Sequence, residues 1–447
     1  MKPQILLINP PIYDFAAHDF WLRPYGLLRV GGMLRGQARL DLFDFMDRAD
    51  SRLPPGRWRR SDAFGRGQFH SRVVETPAAL ADVPRRYRRF GLPREAFARF
   101  LADRAPADFV LVGTGMTYWY LGVREVIEEV RRVWPAATIV LGGLYATLCP
   151  DHAAGLGGDL VIRGDDLSPL WRALGAAGRV DAPPLWEAYE SLAVGALKIT
   201  RGCPFRCTYC AVPLLAEGFS ARPLEGVLAD LELLAARGAR DVAFYDDALL
   251  HKPEEALLPL LDALAARSWR LNFHTPNALH ARLLTGEVAR RMIAGGFRTF
   301  YLGLESRRED WQRRTGGKLA PADLEQAVGN LAAAGADPGA VTAYVILGHP
   351  DHDGQDVAGT IAAAAGLGVP VMLAEFSPIP GTGDFAAAGA WTTSGEPLSH
   401  NKTAFAIRRL GFDRYNALKA LSRQEAARAG CRGLPRSGNH VRESFGC

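Results

Sequence analysis

Apolar residues along this chain fall into two series of short runs separated by helix-length stretches. In the first series the runs are Ile5 to Ile8, Leu40 to Phe45, Phe109 to Gly113, Thr138 to Leu141 and Leu160 to Ile162. Runs rich in Val, Ile and Leu at this spacing predict strands of a parallel sheet covered on both faces, so residues 1–180 read as a doubly wound, Rossmann-like α/β domain. Between two of these runs, Val123 to Val133 has apolar positions at helical spacing and assigns Arg124, Glu125, Glu128, Glu129, Arg131 and Arg132 to an outer face.

The second series follows Pro183-Pro184, with strand candidates at Ala196 to Thr200, Val242 to Tyr245, Leu271 to His274, Thr299 to Leu302, Val341 to Leu347 and Val371 to Phe376. Amphipathic patterns at Leu224 to Ala236, Glu254 to Ala266, Ala322 to Ala334 and Asp356 to Ala365 separate them. Right-handed crossovers wind such units into a partial (β/α)6 TIM-type barrel over residues 190–384, with its chemistry at the carboxyl ends of the strands. Residues 385–447 show no strong period and read as a small helical or irregular C-terminal extension. An interruption at about 49–107 holds Pro54-Pro55, Arg57, Trp58, Arg59 and Arg60, then Arg85, Arg86, Tyr87, Arg88 and Arg89. It reads as a surface insertion with a solvated basic face, and contact with an RNA or a phosphate-bearing substrate is the competing reading.

Composition changes this picture little. With 447 residues, 48% hydrophobic and 23% charged, the chain suits two or three globular domains and excludes wholesale disorder and coiled coil. The balance of 53 basic and 48 acidic residues, a net charge of +5, is too small to imply nucleic-acid binding. The opening apolar run is too short for a signal peptide, and the stretch around Ile361 to Phe376 is broken by Gly366, Gly368, Pro370 and Glu375. A soluble, cytoplasmic protein with no membrane partner is expected.

Cysteine placement changes it most. Of Cys149, Cys203, Cys207, Cys210, Cys431 and Cys447, three stand at C-x3-C-x2-C spacing directly after the first barrel strand. Three thiolates on a tight loop can bind three irons of a 4Fe-4S cluster and leave the fourth iron open. A structural zinc site needs a fourth ligand, which only Cys149, Cys431 or Cys447 could bring from afar. An electron-carrier cluster favours a fourth cysteine nearby.

With Tyr209 just before its last cysteine, this segment resembles the signature of the radical S-adenosylmethionine (SAM) superfamily, and the resemblance extends over about Ala196 to Asp384. It implies a 4Fe-4S cluster on Cys203, Cys207 and Cys210 and reductive cleavage of SAM to methionine and a 5'-deoxyadenosyl radical. The radical would abstract hydrogen from a small-molecule or peptide substrate, and the electron would come from a donor such as ferredoxin or flavodoxin. The same resemblance places Asp246 and Asp247 at the SAM amino group, where a carboxylate suits an ammonium. It turns Asn277 towards the ligand, sets Glu305 at the ribose or methionyl part, and puts Gly348 near adenine, with Ser377 ending the sixth strand in a similar way. Arg314 is a partner for the SAM carboxylate, with Arg307, Arg308 and Arg313 competing. His349 and His352 stand as acid/base candidates or as solvated loop residues. No catalytic side chain is assigned.

The amino-terminal domain resembles the cobalamin-binding domain that precedes many radical SAM barrels, on Asn9-Pro10-Pro11, Gly142-Gly143 and Arg163-Gly164-Asp165-Asp166. Cobalamin binding at Gly142 and Gly143, and methyl transfer through it, are what this implies. No Asp-x-His-x-x-Gly stretch supplies a lower axial histidine, and His18 has the wrong spacing. Members lacking that histidine include both cobalamin binders and proteins that have lost the cofactor, so cobalamin stays open. A methylthiotransferase is disfavoured because only Cys149 precedes Cys203 where a second cluster needs three ligands. A peptide-modifying enzyme with auxiliary clusters is disfavoured because only Cys431 and Cys447 follow. A non-catalytic iron-sulfur electron carrier or redox sensor is the alternative.

Overall fold

The computed structural model describes residues 2–180, 182–267, 269–317, 319–389 and 395–428. Cys431 and Cys447 lie outside the described residues. The first apolar series forms β1 (Gln4–Asn9), β2 (Arg39–Asp44), β3 (Phe109–Thr114), β4 (Thr138–Gly143) and β5 (Leu160–Ile162), all parallel in the order β5-β4-β3-β1-β2. Helices α1 (Tyr25–Met33), α2 (Arg94–Ala102) and α3 (Tyr120–Val133) are among those that connect them. This is a doubly wound sheet, and in such sheets ligands bind beyond the carboxyl ends of the strands.

The second series forms β6 (Val194–Leu197), β7 (Asp241–Phe244), β8 (Asn272–Leu279), β9 (Phe297–Glu305), β10 (Val341–Leu347) and β11 (Val371–Glu375), parallel and in sequential order. Its helices are α4 (Leu224–Ala236), α5 (Leu257–Ala265), α6 (Gly286–Ala294), α7 (Pro321–Ala333) and α8 (Gly354–Gly366), and all but α6 follow the periodic segments. Local chemistry sets their starts. Asp353 accepts from the amides of Gln355 and Asp356, and Asp356 returns a bond to the Asp353 amide, a capping box that begins α8.

The interruption is not a structureless basic surface. It supplies Ser71–Val73 and Arg88–Phe90 to a three-stranded antiparallel sheet completed by Ile12–Asp14, and it contains α2. Arg89 is buried and donates to Glu125 through Nε and Nη2, at 2.8 and 2.6 Å. Glu125 and Glu129 of α3 are therefore buried, not on an outer face. The physical reason is charge pairing: guanidinium groups of the insertion compensate carboxylates that helical periodicity alone assigns to solvent. Arg57, Arg59, Arg60 and Arg86 do remain exposed.

The segment after β1 and the insertion together fill the open barrel. Trp21 stacks on His274 of β8 with centroids 4.4 Å apart, and Arg66 donates to the Tyr301 hydroxyl of β9 at 2.8 Å. The carboxy-terminal segment is helical where described, with Gly383–Ala387, the turn Pro397–His400, α9 (Lys402–Leu410) and α10 (Phe412–Arg428). It touches both domains: Asn401 donates to Asp14 at 2.9 Å, and Lys419 pairs with Glu375 at the end of β11 at 2.9 Å. Among the described residues no helix is long and apolar enough to cross a membrane.

Candidate functional site

Immediately after β6, Thr200–Gly202 pairs with Phe219–Ala221 as a small antiparallel ribbon, and the cysteine loop hangs between them. Gly202 has φ +72, and a Cβ there would lie 2.2 Å from the Gly218 carbonyl oxygen, so this turn requires glycine. The loop opens on a cavity of about 370 Å³ whose lining includes Cys203, Cys207, Tyr209, Cys210, Asp247 and Asn277. Phe205, His251, His280, Glu305 and Tyr344 also line it. Its volume lies within the range of small-molecule sites. Burial pushes the Cys210 thiol up to about 11 despite a bond from the Val212 amide. Bound cations would offset that cost, since a coordinated thiol is deprotonated. Among the described residues no three His, Cys, Asp or Glu side chains converge as the cage of a single metal ion.

Two strand ends aim carboxylates at this space. Glu305 closes β9 at a register shift against β10, with φ +61, a left-handed conformation uncommon for a residue with a side chain. Such strain persists where surrounding structure enforces it. After β7, Asp247 lines the cavity and pairs with Lys198 at 2.8 Å. Its neighbour Asp246 turns inward: Oδ1 accepts from the Ile199 and Thr200 amides and the Thr200 hydroxyl at 2.9, 2.6 and 2.7 Å. Burial, only partly offset by the Thr200 bonds, raises this carboxyl to about 6. Asn277 donates to the carbonyls of Tyr245 and Asp246, at 3.0 and 3.2 Å, and so locks the ends of β7 and β8 together. Thr275-Pro276-Asn277 is no separate turn, because β8 runs on irregularly to Leu279.

The remaining candidates lie elsewhere. Gly348, φ +86, sits under α9, where a Cβ would approach Ala406 within 2.8 Å. Ser377 donates to the His400 carbonyl at 2.7 Å. Arg314 is an exposed side chain held by Asp310 at 2.8 Å and Asp351 at 3.3 Å, and it is not among the residues lining the cavity. His349 and His352 are buried instead of solvated, because Trp311 and Phe376 pack over that loop. Lys198, His251, His280 and Tyr344 were missed by sequence reasoning. For Lys198 alone a signal existed, its place at the end of the first barrel strand.

Across from the cysteine loop lies the carboxyl edge of the amino-terminal sheet. Leu144–Leu148, after β4, packs against Val212–Leu215, and Arg201 pairs with Asp165 of the loop after β5. Gly143 has φ +114, and a Cβ there would meet the Thr114 carbonyl at 2.4 Å, whereas one on Gly142 would make only ordinary contact with Ile162 at 3.7 Å. Open space lies over Gly164, and Met116, Leu144 and Leu214 are 42%, 38% and 43% exposed. Asn9 is not free for a ligand, since its amide donates to Asp44 at 2.6 Å.

Residues 197–364 match the family model of the Radical SAM superfamily. Among curated proteins, the ribosomal protein uS12 methylthiotransferase RimO of Geobacter sulfurreducens is 36% identical over 110 residues, 23% of each chain. That of Pelotomaculum thermopropionicum is 29% identical over 196 residues, 40% of this chain and 36% of that one. The chain thus spans well under half the length of these relatives. Among solved structures, the radical SAM methyltransferase TsrM of Kitasatospora setae with cobalamin and a 4Fe-4S cluster bound gives a TM-score of 0.63 at 17% identity, covering 94% of this chain and 91% of that one. The cobalamin-dependent SAM radical enzyme OxsB with aqua-cobalamin and SAM bound gives 0.57 at 12% identity, covering 95% and 61%. These two likenesses extend over both domains of the fold. The barrel region of the chain is therefore similar to the Radical SAM superfamily domain, and the fold of the chain as a whole is that of these two structures, a barrel preceded by a doubly wound α/β domain.

Proposed function

We propose that this chain is a radical SAM enzyme whose Cys203, Cys207 and Cys210 ligate a 4Fe-4S cluster, with SAM beside it and cobalamin between the two domains. The observation that carries this reading is one cavity holding three loop thiols together with Glu305, Asp247 and Asn277 at the ends of three different strands. When bound, cluster and SAM supply a 5'-deoxyadenosyl radical, and cobalamin supplies a methyl-group carrier. The chain's own part is to bind and orient. Asp247 offers an anionic acceptor to the SAM ammonium, Glu305 accepts from hydroxyl or ammonium donors, and Tyr209 walls the cavity beside Cys207. Asp246 holds the β6 and β7 ends in place from behind. Gly143 and the open space over Gly164 admit a nucleotide tail or corrin edge close to the backbone, and Met116, Leu144 and Leu214 offer apolar area to a broad ligand.

Methyl transfer to an unactivated carbon is the outcome favoured by these two sites facing one another. The likeness to the methylthiotransferases covers a minor part of each chain, and Cys149 alone precedes Cys203. The electron donor is a small redox protein of the ferredoxin or flavodoxin kind.

The test is anaerobic reconstitution with iron and sulfide, followed by SAM and a strong reductant, with 5'-deoxyadenosine and S-adenosylhomocysteine quantified. Expected is 5'-deoxyadenosine that disappears when Cys203, Cys207 and Cys210 are changed to Ala, and S-adenosylhomocysteine only when cobalamin is supplied. A chain that holds a cluster yet forms neither product, with candidate substrates present, would favour an electron carrier or redox sensor.

A further inference from the structure

Between the second and third cysteines, Thr208 is gripped from the far end of the barrel. Its hydroxyl donates to Asp384 Oδ2 at 2.9 Å, and the Asp384 amide donates back to the Thr208 carbonyl at 3.0 Å. The same Oδ2 accepts from His349 Nε2 at 2.9 Å. His349 Nδ1 accepts from the Asp351 amide at 3.1 Å and from the Trp311 indole at 3.4 Å, which fixes the imidazole proton on Nε2. Trp311 in turn stacks on Tyr209, with centroids 5.7 Å apart and planes 10° from parallel. Thr208, Asp384, His349, Trp311 and Tyr209 thus close a ring that begins and ends on the cysteine loop.

A second grip comes from the turn after Glu309–Arg314. The Thr208 amide donates to the Thr315 carbonyl at 3.2 Å, and Gly316, φ +127, lies so close that a Cβ would be 3.1 Å from Cys207 Cα. The Val212 amide donates to Cys210 Sγ at 3.5 Å. Hydrogen bonds of this kind tune iron-sulfur potentials, and outer partners orient metal ligands.

We propose that Asp384, oriented by His349, is a positioning residue for the cluster: through the Thr208 hydroxyl it fixes the directions of Cys207 and Cys210, and hence the place of the open iron. This rests on the cluster reading above. It assigns work to a residue beyond the sixth strand that neither the cysteine signature nor the strand-end residues include.

The test uses the full chain, reconstituted anaerobically, and reads iron per chain, midpoint potential and the EPR spectrum of the reduced cluster with and without SAM. Thr208→Val keeps the shape and removes the hydroxyl, Thr208→Ser keeps the hydroxyl, and Asp384→Asn weakens the acceptor. Wild type and Thr208→Ser are expected to share one spectrum and one SAM titration. Thr208→Val and Asp384→Asn are expected to shift the g values and to need about five-fold more SAM for the half-maximal spectral change, the worth of one hydrogen bond. The double variant is expected to be no worse than the weaker single, because both remove one bond. Should Asp384→Asn precipitate, the Thr208 pair decides alone. Spectra and titrations of both variants that superimpose on wild type, with iron retained, overturn the brace and leave the cluster reading standing. A wild-type chain that takes up no cluster overturns both.

Discussion

The two parallel sheets face each other with edges of opposite character. At the barrel edge each turn is tied: Asn277 joins β7 to β8, Asp246 holds the end of β6, and Asp384 and Thr315 hold the cysteine loop. At the amino-terminal edge the turns after β4 and β5 carry Gly143 and Gly164, with open space over Gly164 and with Met116 and Leu144 uncovered. The contrast separates two kinds of ligand demand. Metal ligands need fixed directions and therefore a packed supporting shell, while a broad macrocycle needs bare backbone and apolar area.

The largest expected effect strikes both edges. Burial holds His352, beside the barrel edge, and His400, against Thr117 of the other edge, down to about 4. The unfolded chain takes up these protons below about 6.5 and the folded chain only near 4, so stability is full above 6.5 and falls as pH drops towards 4. Each contributes on the order of 3 kcal/mol across that window. Denaturation midpoints measured from pH 7 to 4 are expected to fall, and His352→Phe or His400→Phe to flatten the fall. A flat profile in wild type would remove this shared weakness.

Gly316→Val tests the tied edge by itself. A branched side chain at φ +127 against Cys207 costs about 1–3 kcal/mol of strain, so iron retained per chain is expected to fall roughly ten-fold with far-ultraviolet circular dichroism unchanged. Gly143→Val is the counterpart at the open edge. It is expected to lower hydroxocobalamin retained on gel filtration by about ten-fold through the same kind of strain, while Gly142→Ala stays within about two-fold, its Cβ meeting only ordinary contact. Equal losses from both glycine variants would erase the distinction between them. The smallest effect is expected from Arg314→Gln, an exposed side chain in solvent-screened surface ion pairs, with SAM affinity unchanged by equilibrium titration.

What was legible in the sequence follows sequence distance. The cysteine spacing and the eleven principal strands are local patterns, and each strand overlaps its pattern, although β6 lies earlier, at Val194–Leu197, and β8 and β9 run on to Leu279 and Glu305. Arg89 read as solvated because its partner Glu125 lies on another element, and Glu125 read as solvated for the same reason. His349 read as an acid/base candidate or a solvated loop residue and Asp384 received no reading, since nothing near either announces Thr208 or Trp311. Gly348 carried a correct turn signal with a different cause, the close approach of α9. Arg314 could not be told from Arg307, Arg308 and Arg313 by spacing, and its acidic neighbours Asp310 and Asp351 take it to the surface.

The segment after β11 supplies Asp384 to the cysteine loop and Asn401 to Asp14. A ribosome makes these residues after both sheets. While the chain emerges from the exit tunnel, the thiols at 203–210 are already outside, yet their clasp has not been synthesised. A prematurely terminated chain that stops short of residue 384 would therefore keep the loop at 203–210 and lack both Asp384 bonds to Thr208.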